Sequence, residues 1–316
     1  MKIAVLFPGQ GSQYLGMGRE FIETDSACAA IMVQAEAVCD FPLRQLCIEG
    51  PMEELTRAIH LQPAITVTNL ICWQALQKAW RGKVVASCFA GHSLGEYSAL
   101  CAAGVLSVED TMRLVAKRGM LMEREGQKHP GAMRAVLGLS IGDIEGIIAQ
   151  CAGAGVATVA NYNTDQQIVI SGEVAALDAV GGIAAERGAK IIPLAVSVAN
   201  HSPLVADAVP DFATFMAEVE FNRPQIPVYF NVLAATEEEP AMIREVMARQ
   251  IASRVRWFEL IQAMIGQGVD TFIEVGPKTV LKGMIRKIAP KGYVYQALQL
   301  DTPDSLGQCL EQLGMN

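Results

Sequence analysis

The sequence lacks several features that would each point to a function class. No apolar run reaches the roughly 20 residues that a membrane-spanning helix needs, and Met1-Lys2 leads straight into a strand-like Ile3 to Phe7, so no secretory leader is expected. The formal charge is −8 over 316 residues, so the basic surface required for non-specific binding to nucleic acid or anionic lipid is absent. Neither is expected as a partner. The eight cysteines include no C-x-x-C pair and no Cys/His grouping at zinc spacing, and a chain of this size needs no disulfide staples. Reduced, mostly buried thiols, no metal and a cytoplasmic location are the expectation. There is no internal repeat, low-complexity tract or Pro/Ser-rich linker. Histidine is scarce: only His60, His92, His129 and His201 are available as a general base.

What is present is enough apolar residue, 51% of the chain, to bury a large core. Apolar runs Ile3 to Phe7, Val84 to Ala90, Val228 to Phe230 and Thr271 to Val275 alternate with long helix-like segments, which reads as an α/β fold with a largely parallel sheet. One stretch differs. From Gly131 to Val198 the order is strand 132–139, helix 141–150, strand 156–161, strand 167–171, helix 174–187 and strand 191–198, a βαββαβ unit of ferredoxin-like type. The expectation is a small subdomain, 128–197, inserted into a discontinuous large one, 1–127 and 198–316, with a cleft at their junction.

The most informative peptide is Gly91-His92-Ser93-Leu94-Gly95. It follows an apolar run and precedes the apparent helix 94–103, the context of a nucleophile elbow, in which the serine hydroxyl stands above the sheet and nearby amides face a developing oxyanion. Ser93 is the candidate nucleophile. Of the histidines, His92 neighbours Ser93 on the elbow and should project elsewhere as a packed residue, and His60 and His129 sit in polar surroundings expected to be exposed. His201 lies where the chain re-enters the large unit, at the cleft, and is the candidate base. The loop Gly9-Gln10-Gly11-Ser12-Gln13 lacks the third glycine of a dinucleotide fingerprint and the lysine of a P-loop; it either offers an oxyanion amide or is only a turn. Arg118 falls in the apolar stripe of helix 108–124 with Leu114, Val115, Leu121 and Met122. A guanidinium there calls for a carboxylate, from this protein or from a substrate acid. The basic segment 278–287 reads as a solvated helix face or as a docking surface for an acidic carrier.

Together these residues resemble the acyl carrier protein S-malonyltransferase family, the malonyl-CoA transacylases of fatty acid and polyketide synthesis. The resemblance rests on Phe7-Pro8-Gly9-Gln10-Gly11-Ser12-Gln13, Gly91 through Tyr97, Arg118-Gly119 with Met122, Gly131-Ala132-Met133, Asn200-His201-Ser202, Gln250 and Glu274-Val275-Gly276-Pro277, in family order. It implies an α/β-hydrolase-like large subdomain with a ferredoxin-like insertion. It implies Ser93 as nucleophile, His201 as base, the Gln250 backbone carbonyl orienting the imidazole, the Gln10 and Leu94 amides as oxyanion hole, and Arg118 as the clamp on the malonyl carboxylate. Met122, Asn200, His92 and Asn161 are the further substrate contacts it implies. Leu94 after the serine is of the malonyl-selective kind, where methylmalonyl-selective relatives often carry glutamine. Before the histidine the family usually has phenylalanine or serine; Asn200 gives this pocket a polar edge that a larger or hydroxylated acid would suit.

The implied reaction is a ping-pong transfer from malonyl-CoA to the phosphopantetheine thiol of an acyl carrier protein, by a monomer with no bound cofactor, coenzyme A being only a product. Two competitors share the scaffold. An acyl-thioester hydrolase would use the same serine and histidine but gains nothing from Arg118, and a non-catalytic carrier-binding protein would not need Ser93, His201, Arg118 and Gln250 together.

Overall fold

A computed structural model describes residues 1–196 and 198–315. The larger sheet has the order β10-β9-β1-β2-β7-β8, built from β1 (Ile3–Phe7), β2 (Cys88–Gly91), β7 (Val228–Phe230), β8 (Ala235–Thr236), β9 (Thr271–Val275) and β10 (Gln296–Leu300). All neighbours are parallel except the short β7–β8 pair. β1 lies at its centre and is buried on both faces: Ile3, Val5 and Phe7 enter one core while Ala4 and Leu6 enter the other. This alternation explains why the strand reads as a continuous apolar run. The helix Ala58–Trp80 packs in the first core, against the amphipathic helix Val108–Lys128. The second helix begins at Ser107, whose hydroxyl accepts the Asp110 N–H at 3.0 Å.

The second sheet is antiparallel, ordered β4-β5-β3-β6, from β3 (Ala132–Leu137), β4 (Ala157–Thr164), β5 (Gln167–Gly172) and β6 (Lys190–Pro193). This is the ferredoxin-like strand order expected of a βαββαβ unit. One face packs on the helices Ile141–Gln150 and Val174–Glu186 through Val136, Ile168, Ile170 and Leu177. The other face carries Met133, Ala135 and Val169 over the cavity described below. Tyr162 and Val255 join the two units: the Tyr162 N–H donates to the Val255 carbonyl and the Val255 N–H to the Ala160 carbonyl, each at 2.8 Å.

The structure changes several expected boundaries. β2 starts at Cys88 rather than Val84, because Val85 is 67% exposed and gains nothing by pairing. β6 ends at Pro193, and Leu194, Ala195 and Val196 turn away to line the cavity; Ser197 of the expected strand 191–198 lies outside the described residues. Helix Val108–Lys128 continues four residues past Arg124. β10 was not expected at all, since glutamines at 296 and 299 interrupt its apolar residues on an edge strand. Among the described residues no single helix is long and apolar enough to cross a membrane.

Candidate active site

The elbow is made by exclusion. A Cβ on Gly91 would come within 1.8 Å of the Gly95 carbonyl carbon, and one on Gly95 within 2.0 Å of the Phe7 carbonyl oxygen. With both positions glycine, the chain turns sharply from β2 into the helix Gly95–Ala102, and Ser93 takes up a left-handed φ of 51° that costs a non-glycine residue energy. His201 is likewise left-handed, at φ 58°. The two side chains meet: the Ser93 hydroxyl and His201 Nε2 are 2.8 Å apart.

His201 Nδ1 faces two carbonyls, Gln250 at 3.1 Å and Ser253 at 2.8 Å. Carbonyls only accept, so Nδ1 carries the proton and the Nε2 lone pair faces the serine. Burial, reinforced by the Arg118 charge, pushes the imidazole down to about 3; it is neutral across the physiological range, with the Nε2 lone pair unprotonated. The Ser253 carbonyl joins Gln250 in orienting it.

Arg118 is 1% exposed. Nη2 donates to the Ser93 hydroxyl oxygen at 3.1 Å and to Gln250 Oε1 at 3.2 Å, and Nη1 donates to Gln62 Oε1 and lies 3.2 Å from Met122 Sδ. All of these partners are neutral. The nearest carboxylate electrostatically, Glu96, is instead hydrogen-bonded to the Asn231 N–H and Gln250 Nε2. Burial lowers the guanidinium below its ordinary value, but an arginine remains charged. The expected carboxylate partner is therefore not a residue of this chain among those described.

Gln10 and Leu94 both line the cavity beside Ser93, and neither backbone N–H donates to a protein acceptor among the described residues. The Gln10 loop is held close to the elbow because Gly9 leaves no room for a side chain, its Cβ position lying 2.4 Å from the His92 carbonyl oxygen. Asn69 Nδ2, donating to the Pro8 carbonyl at 3.0 Å, and Ser12 Oγ, donating to the Gly9 carbonyl at 2.8 Å, brace it.

The cavity holds about 350 Å³ and is roofed by the second sheet; Met122, Asn161, Asn163 and Asn200 are in its wall. Asn200 is 5% exposed with Oδ1 unpartnered. His92 is packed beside the elbow, with Nε2 2.8 Å from Asn163 Oδ1 and its ring against Trp257, and it also lines the cavity. His129 is exposed as expected, but His60 is not: its ring packs on Phe41 at 4.6 Å and Nδ1 lies 2.8 Å from the Glu54 carbonyl. An adjoining groove of about 530 Å³ shares Gln10, Met122 and Asn200 and continues past Arg57 and Glu123. The basic segment forms the helix Val280–Ile288; Val280, Leu281 and Met284 reach the cavity while Arg286 and Lys287 face solvent. The one grouping with metal-ligand spacing among the described residues, Glu125, His129 and Asp207, already has its carboxylates paired with Arg124 and Lys128.

Sequence reading missed Gln62, Asn163, Asn231 and the Ser253 carbonyl. Gln62 had a signal: like Arg118, it is a polar residue on a helix that is otherwise buried. Asn231 and Ser253 act from irregular backbone and had none.

An α/β fold with a serine on a strand–helix elbow facing a neutral imidazole defines a protein of the serine acyl-transfer class. Residues 5–297 match the acyl transferase domain family, and the chain belongs to it. It is 39% identical over 289 residues to the malonyl CoA-acyl carrier protein transacylase of Bacillus subtilis, covering 91% of this chain and 90% of that one. An acyl carrier protein S-malonyltransferase structure from Vibrio cholerae superposes with a TM-score of 0.92 at 36% identity, covering 98% of this chain and 100% of that one. A malonyl-transacylase solved in complex with a type II polyketide synthase acyl-carrier protein superposes with a TM-score of 0.93 at 35% identity, over 99% of this chain and 100% of that one.

Proposed function

We propose that the protein transfers a malonyl group from malonyl-CoA to the phosphopantetheine thiol of an acyl carrier protein through a malonyl ester of Ser93. The observation that carries this reading is Arg118: a buried, permanently charged fork, 3.1 Å from the nucleophile, with only neutral partners. Leaving such a charge without a directly bonded carboxylate is costly, and a substrate acid supplies one.

In the first half-reaction Ser93 Oγ attacks the thioester carbonyl carbon as its proton passes to His201 Nε2. The Gln10 and Leu94 amides receive the oxyanion. The C–S bond breaks and the imidazolium returns the proton to the coenzyme A thiolate. In the second, the carrier thiol gives its proton to His201 and attacks the ester carbonyl carbon; the C–O bond to Ser93 breaks and the imidazolium returns the proton to Ser93 Oγ. The carbonyls of Gln250 and Ser253 stabilise the transient imidazolium in place of a carboxylate. The exposed Arg286 and Lys287, on a helix that reaches the cavity, suit the acidic surface of a carrier. Asn200 adds a polar edge to the acyl pocket, which favours a substituted or hydroxylated dicarboxylic acyl group as a secondary substrate. We read the protein as a cytoplasmic monomer; its described cysteines are free and all but one buried, as suits a reducing compartment.

The test is the intact mass of the protein mixed with malonyl-CoA or acetyl-CoA, with and without a phosphopantetheinylated carrier. A malonyl adduct on the wild type, absent from Ser93→Ala and cleared onto the carrier, is expected. An adduct that disappears into water without a carrier supports the hydrolase instead. Arg118→Ala is expected to slow malonyl acylation by about 10²-fold, the equivalent of about 3 kcal/mol for lost charged hydrogen bonds, while leaving acetyl acylation much less affected; equal losses would remove Arg118 from the role.

A further inference from the structure

Glu96 is fully buried, and the acyl-transfer steps leave it without a task. Its two oxygens have different partners: Oε1 accepts the Asn231 backbone N–H at 2.7 Å, and Oε2 accepts from Gln250 Nε2 at 2.6 Å. Asn231 then holds the elbow, its Oδ1 accepting the Ser93 N–H at 2.7 Å and its Nδ2 donating to the Gly91 carbonyl at 2.8 Å. Gln250 holds the rest. Its Nε2 also donates to the Ser93 carbonyl at 2.7 Å, its Oε1 accepts from Arg118, and its backbone carbonyl accepts from His201. Each Glu96 oxygen meets an N–H donor, the arrangement of a carboxylate rather than of an acid.

We propose that Glu96 is a positioning residue that, as the carboxylate, locks nucleophile, imidazole and guanidinium into one geometry through Asn231 and the Gln250 amide, and that its protonation releases the lock. This rests on the acyl-serine reading above. The titratable groups around it are Arg118, from the helix Val108–Lys128, and Tyr97, from its own helix, whose phenol burial keeps neutral; the segments bearing Asn231 and Gln250 present amides. Burial pushes Glu96 up to about 8 against the pull of its two donors and Arg118. A proton added there would turn two charge-assisted hydrogen bonds into ordinary ones, about half as strong. The weaker contact loosens the Gln250 amide, and with it the hold of Nε2 on Ser93 and of Oε1 on Arg118. His201, held near 3, is neutral throughout and produces no such transition.

The experiment is single-turnover acylation of Ser93 by malonyl-CoA, followed by quenched flow and intact mass from about pH 6 to about pH 10. The wild-type rate is expected to rise with a midpoint near about 8. Glu96→Gln is expected to give a flat profile about 10²-fold below the wild-type plateau, the scale of a misplaced catalytic constellation, and Glu96→Asp to restore a rising limb with a moved midpoint. A Glu96→Gln protein that keeps the wild-type limb overturns the inference. If that variant does not fold, Glu96→Asp decides, an unmoved midpoint being the overturning result. A wild type that forms no acyl-serine at any pH overturns the reading beneath, which a retained limb in the variant does not.

Discussion

In the proposed reading Arg118 selects a carboxylate because of what surrounds it, and Gln62 is the neighbour that bears on this most directly. Its Oε1 accepts from Arg118 Nη1, and its Nε2 is buried without a partner. A carboxylate in the same place would satisfy the guanidinium from within the protein. Gln62→Glu should therefore cost malonyl acylation one to two orders of magnitude, from about 1.5–3 kcal/mol of displaced charged hydrogen bonding, and reverse the preference toward acetyl-CoA. Single-turnover rates with the two thioesters check this; an unchanged ratio would show that Gln62 does not govern the clamp. Ser93, His201 and Arg118 were legible in the sequence because each is a reactive or charged residue in an unusual local setting. Gln250 was read for its carbonyl, yet its side chain also bonds Ser93, Glu96 and Arg118, contacts set by distant segments that no local pattern encodes. His60 was misread for a related reason: a polar neighbourhood in sequence became a packing contact with Phe41 in space.

At the level of elements, the strand–turn–helix at 88–102 depends on β1 as much as on its own residues. Gly95 lies against the Phe7 carbonyl at a separation that leaves no space for a methyl group, so the first turn of the helix touches the neighbouring strand directly. Gly95→Ala should push this helix off β1 and destabilise the protein by about 3 kcal/mol or more, the scale of overpacking in a rigid site. Thermal melting measures it, and a melting temperature within a degree or so of wild type would mean that the strand and helix can slide apart freely. Elements with strong periodicity, such as the helix Val108–Lys128 and the central β1, were readable from the chain. The pairing strand β10 was not, since an edge strand is defined by its neighbour β9 more than by its own composition.

For the whole molecule, two sets of buried groups pull stability in opposite directions with pH. Glu96 and Glu274 are raised in the fold, to about 8 and about 7, so the native state binds more protons than the unfolded chain above the ordinary value of 4.5. Their contribution is complete below that value and is lost as pH rises through 7 and 8. His92 and His201 are lowered; their contribution is complete above 6.5 and is lost as pH falls. The melting temperature should accordingly decline between about pH 6.5 and about pH 9, and Glu96→Gln should flatten part of that decline. A rise over the same range would contradict both raised carboxyls. Acylation is then gained over the interval in which the fold is loosened, with the pH of the surroundings setting the compromise. The charge balance has one more consequence. A chain of net charge −8 repels anions at a distance, yet the cavity beside Ser93 is lined by a buried guanidinium. On the proposed reading, free malonate is expected to compete with malonyl-CoA for Arg118, and its inhibition of Ser93 acylation measures how far that one buried charge is open to other dicarboxylates.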